Sequence, residues 1–201
     1  MAWQRALAFA ALFGFVAPIY FFVFWRWFDF FRTRRSVFIA MLVAITVAVY
    51  GIGYVIRSVL WIGHLNMPIV VAAFGWILLA VATVFGTVAD RQIGFRVRSF
   101  RPLFERRGHL DLKTTGAYGV VRHPIYSAGL GELLALFLVT GYPSVLVIGA
   151  VFAVAARWFS AQEEAHLVGL LDDPAIYERY RRRVPALIPR LRRRGAGDSS
   201  I

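Results

Sequence analysis

In the stretch GAYGVVRHPIYSAG, residues 116–129, an arginine, a histidine and a proline stand together where a long apolar run begins. Proline suits the first turn of a helix, because the N–H it lacks would have no intrahelical partner there. A helix starting at Pro124 aims its free N–H groups and the positive end of its dipole back at Arg122 and His123. Together these donors make an anion site; the plainer use of the same residues is an interfacial anchor. Further along, Glu163 and Glu164 offer two adjacent carboxylates. Neighbouring side chains on a helix diverge by about 100°, so only one of the pair is expected to point at a given site. A solvated acidic pair is the plainer reading here. Acting together, the two halves would hold a ligand with a carboxylate at one end, hydroxyls and a cation elsewhere, and a flat ring for Tyr118 and Tyr126 to cover.

Two other ionisable residues sit deeper in apolar runs. Glu132 falls about two helical turns beyond Pro124, and Arg157 lies at a similar depth in the next run. Ionisable groups inside a membrane pair with one another or line a functional pathway. A Glu132–Arg157 ion pair and a catalytic role for each at the second substrate both remain open. The four histidines, His64, His109, His123 and His166, lack metal-ligand spacing, and the chain has no cysteine, so no metal is expected. Neither a glycine-rich phosphate loop nor a serine nucleophile elbow is present.

These residues need a membrane scaffold to position them. Of 201 residues, 59% are hydrophobic, well above the share in soluble domains. Residues 6–25, 37–56 and 68–89 carry no charge, and each approaches the roughly 20 apolar residues that cross a bilayer. Two shorter runs, 125–140 and 142–156, contain Glu132 as their one charge. The expected fold is all-α: a polytopic membrane protein of about five transmembrane helices with a C-terminal extension. The last two spans are short enough to tilt or to form a re-entrant hairpin. The first run is expected to be an anchor and not a signal peptide, since no basic cluster precedes it. By organisation, residues 1–89 form three spans, 90–191 the loop, two spans and tail that carry the chemistry, and 192–201 a disordered end.

The formal net charge is +12, yet the positions of the charges argue for topology and against a nucleic-acid partner. Four basic residues lie between the first two runs, eight within 91–122 and nine within 157–194, while 63–67 and 141–143 hold none. Cytoplasmic loops collect Lys and Arg, so the N-terminus is expected outside, and the 90–122 loop and C-terminal tail in the cytoplasm, facing anionic lipid headgroups. Trp25, Trp27, Phe28, Phe30 and Phe31 read as an interfacial aromatic belt. Arg57 is expected to snorkel to the outer interface, and Gly51 and Gly53 to permit close helix packing.

The ordered set His109-Leu110-Asp111-Leu112-Lys113-Thr114-Thr115-Gly116-Ala117-Tyr118, then Arg122-His123-Pro124-Ile125-Tyr126, then Glu163-Glu164, then Tyr177 to Pro189 resembles the isoprenylcysteine carboxyl methyltransferase family and its relatives, the phospholipid methyltransferases. The resemblance covers residues 100–190. It implies an integral membrane methyltransferase that uses S-adenosylmethionine from a cytoplasm-facing pocket. By that likeness His109, Leu110, Leu112, Lys113, Tyr118, His123, Pro124, Ile125, Tyr126 and Glu163 would hold the cofactor, with Arg122 and Glu164 beside them. The acceptor would be a lipophilic or lipid-borne carboxylate, amine or hydroxyl; the oligomeric state is not implied.

The chain departs from the isoprenylcysteine enzymes in one respect that bears on the acceptor. Their arginine four residues before the cofactor-binding glutamate is here Phe159, and Arg157 is the nearest candidate. One lysine against 22 arginines points to a GC-rich, bacterial source, hence an inner membrane and no prenylated cysteine. Membrane sterol-type reductases using NADPH share the Arg-His-Pro element but carry Asn where this chain has Ile125. A non-catalytic membrane scaffold is the third expectation. Glu132 or His123 would serve as base for an acceptor that must lose a proton.

Overall fold

A computed structural model describes residues 2–27, 30–31, 34–98, 112–171 and 173–190. His109, Leu110 and the end 192–201 lie outside the described residues. Every regular element among those described is helical: α1 (Ala2–Ala10), α2 (Phe13–Arg26), α3 (Arg35–Val55), the single turn α4 (Arg57–Leu60), α5 (Ile69–Arg98), the single turn α6 (Ala117–Val120), α7 (Pro124–Thr140), α8 (Pro143–Leu170) and α9 (Pro174–Arg183). The protein is an all-α polytopic membrane protein.

Among the described residues, four stretches are long and apolar enough to cross a bilayer: Ala2–Phe24, Ser36–Val55, Ile69–Ile93 and Pro143–Leu170. The apolar α7 has 17 residues, about 25 Å at 1.5 Å per residue, against a hydrocarbon core of about 30 Å. Its partner α8 has 28 residues, about 42 Å, so only one of the last two helices is short. The first span is longer than its charge-free run and breaks at Ala11–Leu12, where N–H groups bond three residues back, Leu12 to Phe9 and Gly14 to Ala11.

The packing core is α7, flanked by α5, α8 and α1. Small residues let α5 and α7 approach. A Cβ added at Gly86 would lie 2.8 Å from the Ala128 methyl, and one at Gly131 would lie 3.1 Å from Ala82. On the α8 side, Gly129 receives the Phe152 ring. The α7–α8 connection turns at Gly141, whose φ of +70° favours glycine. Its carbonyl accepts from Leu65 N–H at 2.8 Å, tying the two ends of the bundle's basic-free side together.

At the periphery, α3 packs mainly on α2 and presents Val43, Val47 and Ile52 outward, as a lipid-facing helix should. Gly53 abuts Leu12, as expected; Gly51 has open space around it and mediates no close approach. Of the aromatic belt, Trp27 and Phe30 are exposed, whereas Phe31 is buried with Phe24 and Phe38. The Arg57 guanidinium turns back on the end of α3, donating to the Tyr54 carbonyl and lying over the Tyr54 ring.

Candidate active site

Polar side chains converge where α7 begins, α8 leaves its apolar length and α9 folds back. Pro124 is buried at the first position of α7, with His123 as N-cap residue. His123 is 9% exposed, and both of its ring nitrogens meet a carboxylate. Nδ1 lies 3.3 Å from Glu163 Oε2 and Nε2 3.0 Å from Glu164 Oε1. The expectation that only one glutamate would face the site fails for a geometric reason. The ring slots between two carboxylates that diverge from adjacent positions on α8, so their divergence becomes a clamp.

Each glutamate has a second partner. Tyr126 Oη donates to Glu163 Oε1 at 2.8 Å, and its ring stacks on His123 with centroids 5.8 Å apart. Arg122 donates through Nε and Nη2 to Glu164 Oε1 at 2.9 and 2.8 Å. The remaining Arg122 donor group, Nη1, serves the carbonyls of Arg181 and Val184 at the end of α9. Burial alone would lower the His123 pKa; hydrogen bonds and charge from Glu163 and Glu164 outweigh it, and the imidazole is held above its ordinary value. Arg122 and His123 thus face two carboxylates in a site largely shielded from solvent.

Backbone pairing secures this arrangement. Arg122 N–H donates to Pro185 O and His123 N–H to Ala186 O, while Ser127 Oγ donates to Leu187 O. The chain after α9 is therefore a strap across the start of α7. Asp173 caps α9 by accepting from Ala175 N–H at 2.9 Å, the role its place before Pro174 suggests. Tyr177, Tyr180 and Val184 recur at helical spacing and bury against Leu112, Leu167 and Leu171. Tyr180 Oη donates to the Tyr118 carbonyl at 2.6 Å, and burial pushes its own pKa up to about 12. Burial, then the Glu163 charge, likewise raises Tyr118. Its hydroxyl has no hydrogen-bond partner among the described residues.

Sequence reasoning missed Gln92. Its Oε1 accepts from Ala117 N–H at 3.0 Å, fixing the turn that carries Tyr118 to the end of α5. Gly116 there has φ +62°, and a Cβ would fall 1.9 Å from Gln92 Nε2. The polar run Asp90-Arg91-Gln92 reads as loop because it follows the apolar stretch, and no local signal marks it as helix. The strap was equally hidden, since nothing local in 184–187 names its partners.

The remaining candidates disperse. Leu112 belongs to the α9 apolar cluster, Lys113 is exposed, and Ile125 is 41% exposed on the outside of α7. The Glu132–Arg157 pair does not form. Glu132 Oε1 accepts from Thr83 of α5 at 3.1 Å, and Arg157 is exposed on α8, with no ion partner among the described residues. Arg157 lies seven positions before Glu164 on α8, roughly 10 Å along the axis. No group of three or more metal-ligating side chains exists among the described residues.

A family model described as Phospholipid methyltransferase matches residues 70–173, from α5 to the cap of α9, more than half of the chain. The chain belongs to the phospholipid methyltransferase family. Membership separates it from the reductases that share its Arg-His-Pro element. It is also 32% identical over 123 residues to a methanethiol S-methyltransferase of Crocosphaera subtropica, an alignment covering 58% of this chain and 44% of the relative. The chain thus spans less than half of the length of that curated relative. No solved structure matches it significantly. The family match covers Arg122, His123, Glu163 and Glu164, the residues the fold draws together.

Proposed function

We propose that the protein transfers a methyl group from S-adenosylmethionine to a lipophilic acceptor at the face of the bundle where α7 begins, and that this face is cytoplasmic. The observation that carries the reading is His123 clamped between Glu163 and Glu164 beside the positive end of α7. S-adenosylmethionine suits the residues present: it carries a carboxylate, an ammonium, a cationic sulfur and an aromatic base. Bound there, it supplies a methyl carbon on a sulfur that departs as a neutral thioether.

The two acids take different roles. Glu164 is one-eighth exposed and takes three bonds from Arg122 and His123 on one oxygen; Glu163 is one-quarter exposed and has the longest contact of the set, 3.3 Å to His123. Glu163 is therefore the acid available to the cofactor's cationic groups. The first N–H groups of α7, which have no intrahelical acceptor, are assigned to its carboxylate, and His123, whose ring nitrogens both face glutamates, holds Glu163 in place. Tyr118, with a free hydroxyl, and Tyr126 flank the aromatic base. Arg122 orients Glu164 and binds the strap, so its part is positioning.

With both ring nitrogens facing carboxylates, His123 has neither free to take a proton from an acceptor. Glu132 is assigned first to joining α5 to α7 through Thr83, and Arg157 to the bilayer flank of α8. The acceptor, a lipid-like carboxylate, amine or hydroxyl, reaches the site from the membrane. Holding it in line with the methyl group lowers the barrier by several kcal/mol, of order 7–11 where alignment is complete.

Equilibrium binding of radiolabelled S-adenosylmethionine to detergent-purified protein tests the cofactor. Saturable binding that His123→Ala weakens at least tenfold is expected, whereas saturable NADPH binding instead would overturn the reading. Incubating the protein with labelled cofactor and a bacterial lipid extract, with methanethiol in a parallel arm, then identifies the acceptor class by mass spectrometry.

A further inference from the structure

The mechanism leaves unused a strongly charged surface. Around α9 and the strap, Arg179, Arg181, Arg182, Arg183 and Arg190 are all exposed. Arg181 is 3.4 Å from Glu178, and Arg179 is 3.8 Å from Asp173, with all four side chains about half exposed or more. Such surface pairs are weak. Arg182, Arg183 and Arg190 have no partner among the described residues. Two large aliphatic side chains stand beside them in the open, Ile176 at 45% and Ile188 at 77% exposed.

The depth of this surface follows from the strap. Pro185, Ala186 and Leu187 bond to Arg122, His123 and Ser127, residues at the start of an apolar membrane helix. Arg181, Arg182 and Arg183 lie within one turn of those anchors, so the backbone holds them where the apolar zone of the bilayer ends. Guanidinium groups at that level meet lipid phosphates, and exposed isoleucines beside them can enter the acyl boundary. An acidic protein would match the arginines but would leave the isoleucines without a hydrophobic contact of this kind.

We propose that α9 and the strap form a binding surface for the headgroups of anionic phospholipids, phosphatidylglycerol being the representative, in the leaflet on this side of the membrane. The same segment holds the site: carbonyls of Arg181 and Val184 accept from Arg122, and Tyr180 bonds to Tyr118. Phosphates bridging the arginines therefore hold in place the backbone that orients the Arg122–Glu164 pair. This extends the reading of the site without depending on the identity of its cofactor.

The probe is phosphatidylglycerol against phosphatidylcholine, with the full chain in nanodiscs of either composition and lipid retention counted by native mass spectrometry. The wild type is expected to retain phosphatidylglycerol preferentially. The Arg179→Gln/Arg182→Gln/Arg183→Gln variant should lose at least tenfold of that preference, since each basic side chain near such a surface contributes roughly fivefold. The matching lysine variant should keep most of it, because all three positions are exposed and charge, not packing, is at stake. Equal retention of the two lipids by the wild type, or an unchanged preference in the glutamine variant, overturns the surface. Hydrogen exchange at the Arg122 and His123 amides, which needs no cofactor, tests the coupling. It should slow in phosphatidylglycerol discs for the wild type alone; equal rates in both discs overturn it.

Discussion

Glutamine at position 164 and glutamine at position 163 should damage different properties of this protein. One oxygen of Glu164 accepts three bonds, at 2.9 and 2.8 Å from Arg122 and 3.0 Å from His123, and both partners are about nine-tenths buried. Hydrogen bonds to charged groups contribute about 1.5–3 kcal/mol and neutral ones about 0.5–1.5. Glu164→Gln keeps an acceptor but removes its charge, so each bond loses on the order of 1 kcal/mol, and Arg122 is left under-compensated. A loss of about 2–3 kcal/mol follows, a melting shift of roughly 5–10 °C for a chain of this size. Glu163 accepts one good bond, from Tyr126 at 2.8 Å, and one long contact from His123. Its replacement by glutamine should cost about 1 kcal/mol or less in stability, yet weaken S-adenosylmethionine binding at least tenfold. Intrinsic fluorescence melting in detergent, using the six tryptophans, reads stability; radioligand binding reads affinity. Equal melting shifts in the two variants would refute the division of labour. So would a Glu164→Gln protein that melts normally but binds no cofactor.

Two further outcomes are expected. Because the His123 pKa is raised in the folded state, its stabilising contribution is fully present below its ordinary value of about 6.5 and is lost as pH rises through the raised folded value. The melting difference between wild type and His123→Gln should therefore narrow from pH 6 towards pH 9, and a gap that widens would contradict the clamp. Gly116→Ala places a methyl against Gln92 at a φ of +62°, which should cost about 1–3 kcal/mol of local stability. Exchange of the Ala117 amide should accelerate more than that of α8 core amides, whereas uniform acceleration would point to global loosening.

Much of this architecture is legible in the sequence because the bilayer imposes simple rules. Charge-free runs mark α3 closely and the starts of α5 and α8, Pro124 marks the start of α7, and Asp173-Pro174 announces the start of α9. The polar cluster of Arg122, His123, Glu163 and Glu164 is visible as polarity beyond the ends of those runs. What hydropathy cannot register is helix continued in water: α5 runs nine residues past Ala89, and that extension brings Gln92 to the site. Nor does spacing reveal reach. Adjacent glutamates diverge at their roots, but an inserted ring can receive both ends. For Glu132, depth in a span correctly signalled a need for a partner; the partner is Thr83 on α5, because α5 and not α8 covers that side of α7.

The unequal lengths of the three innermost helices have a geometric result. Past Glu164, α8 continues for six residues, about 9 Å, and past Gly86, where α5 crosses Ala128, α5 continues for twelve, about 18 Å. The short helix between them stops early, so its start is the floor of a well whose rim the two longer helices raise. Arg122 and His123 on that floor are about nine-tenths buried, so water screens their charges little. If the acceptor is the greasy molecule proposed above, such a well would let it enter from the leaflet with little of its surface crossing water.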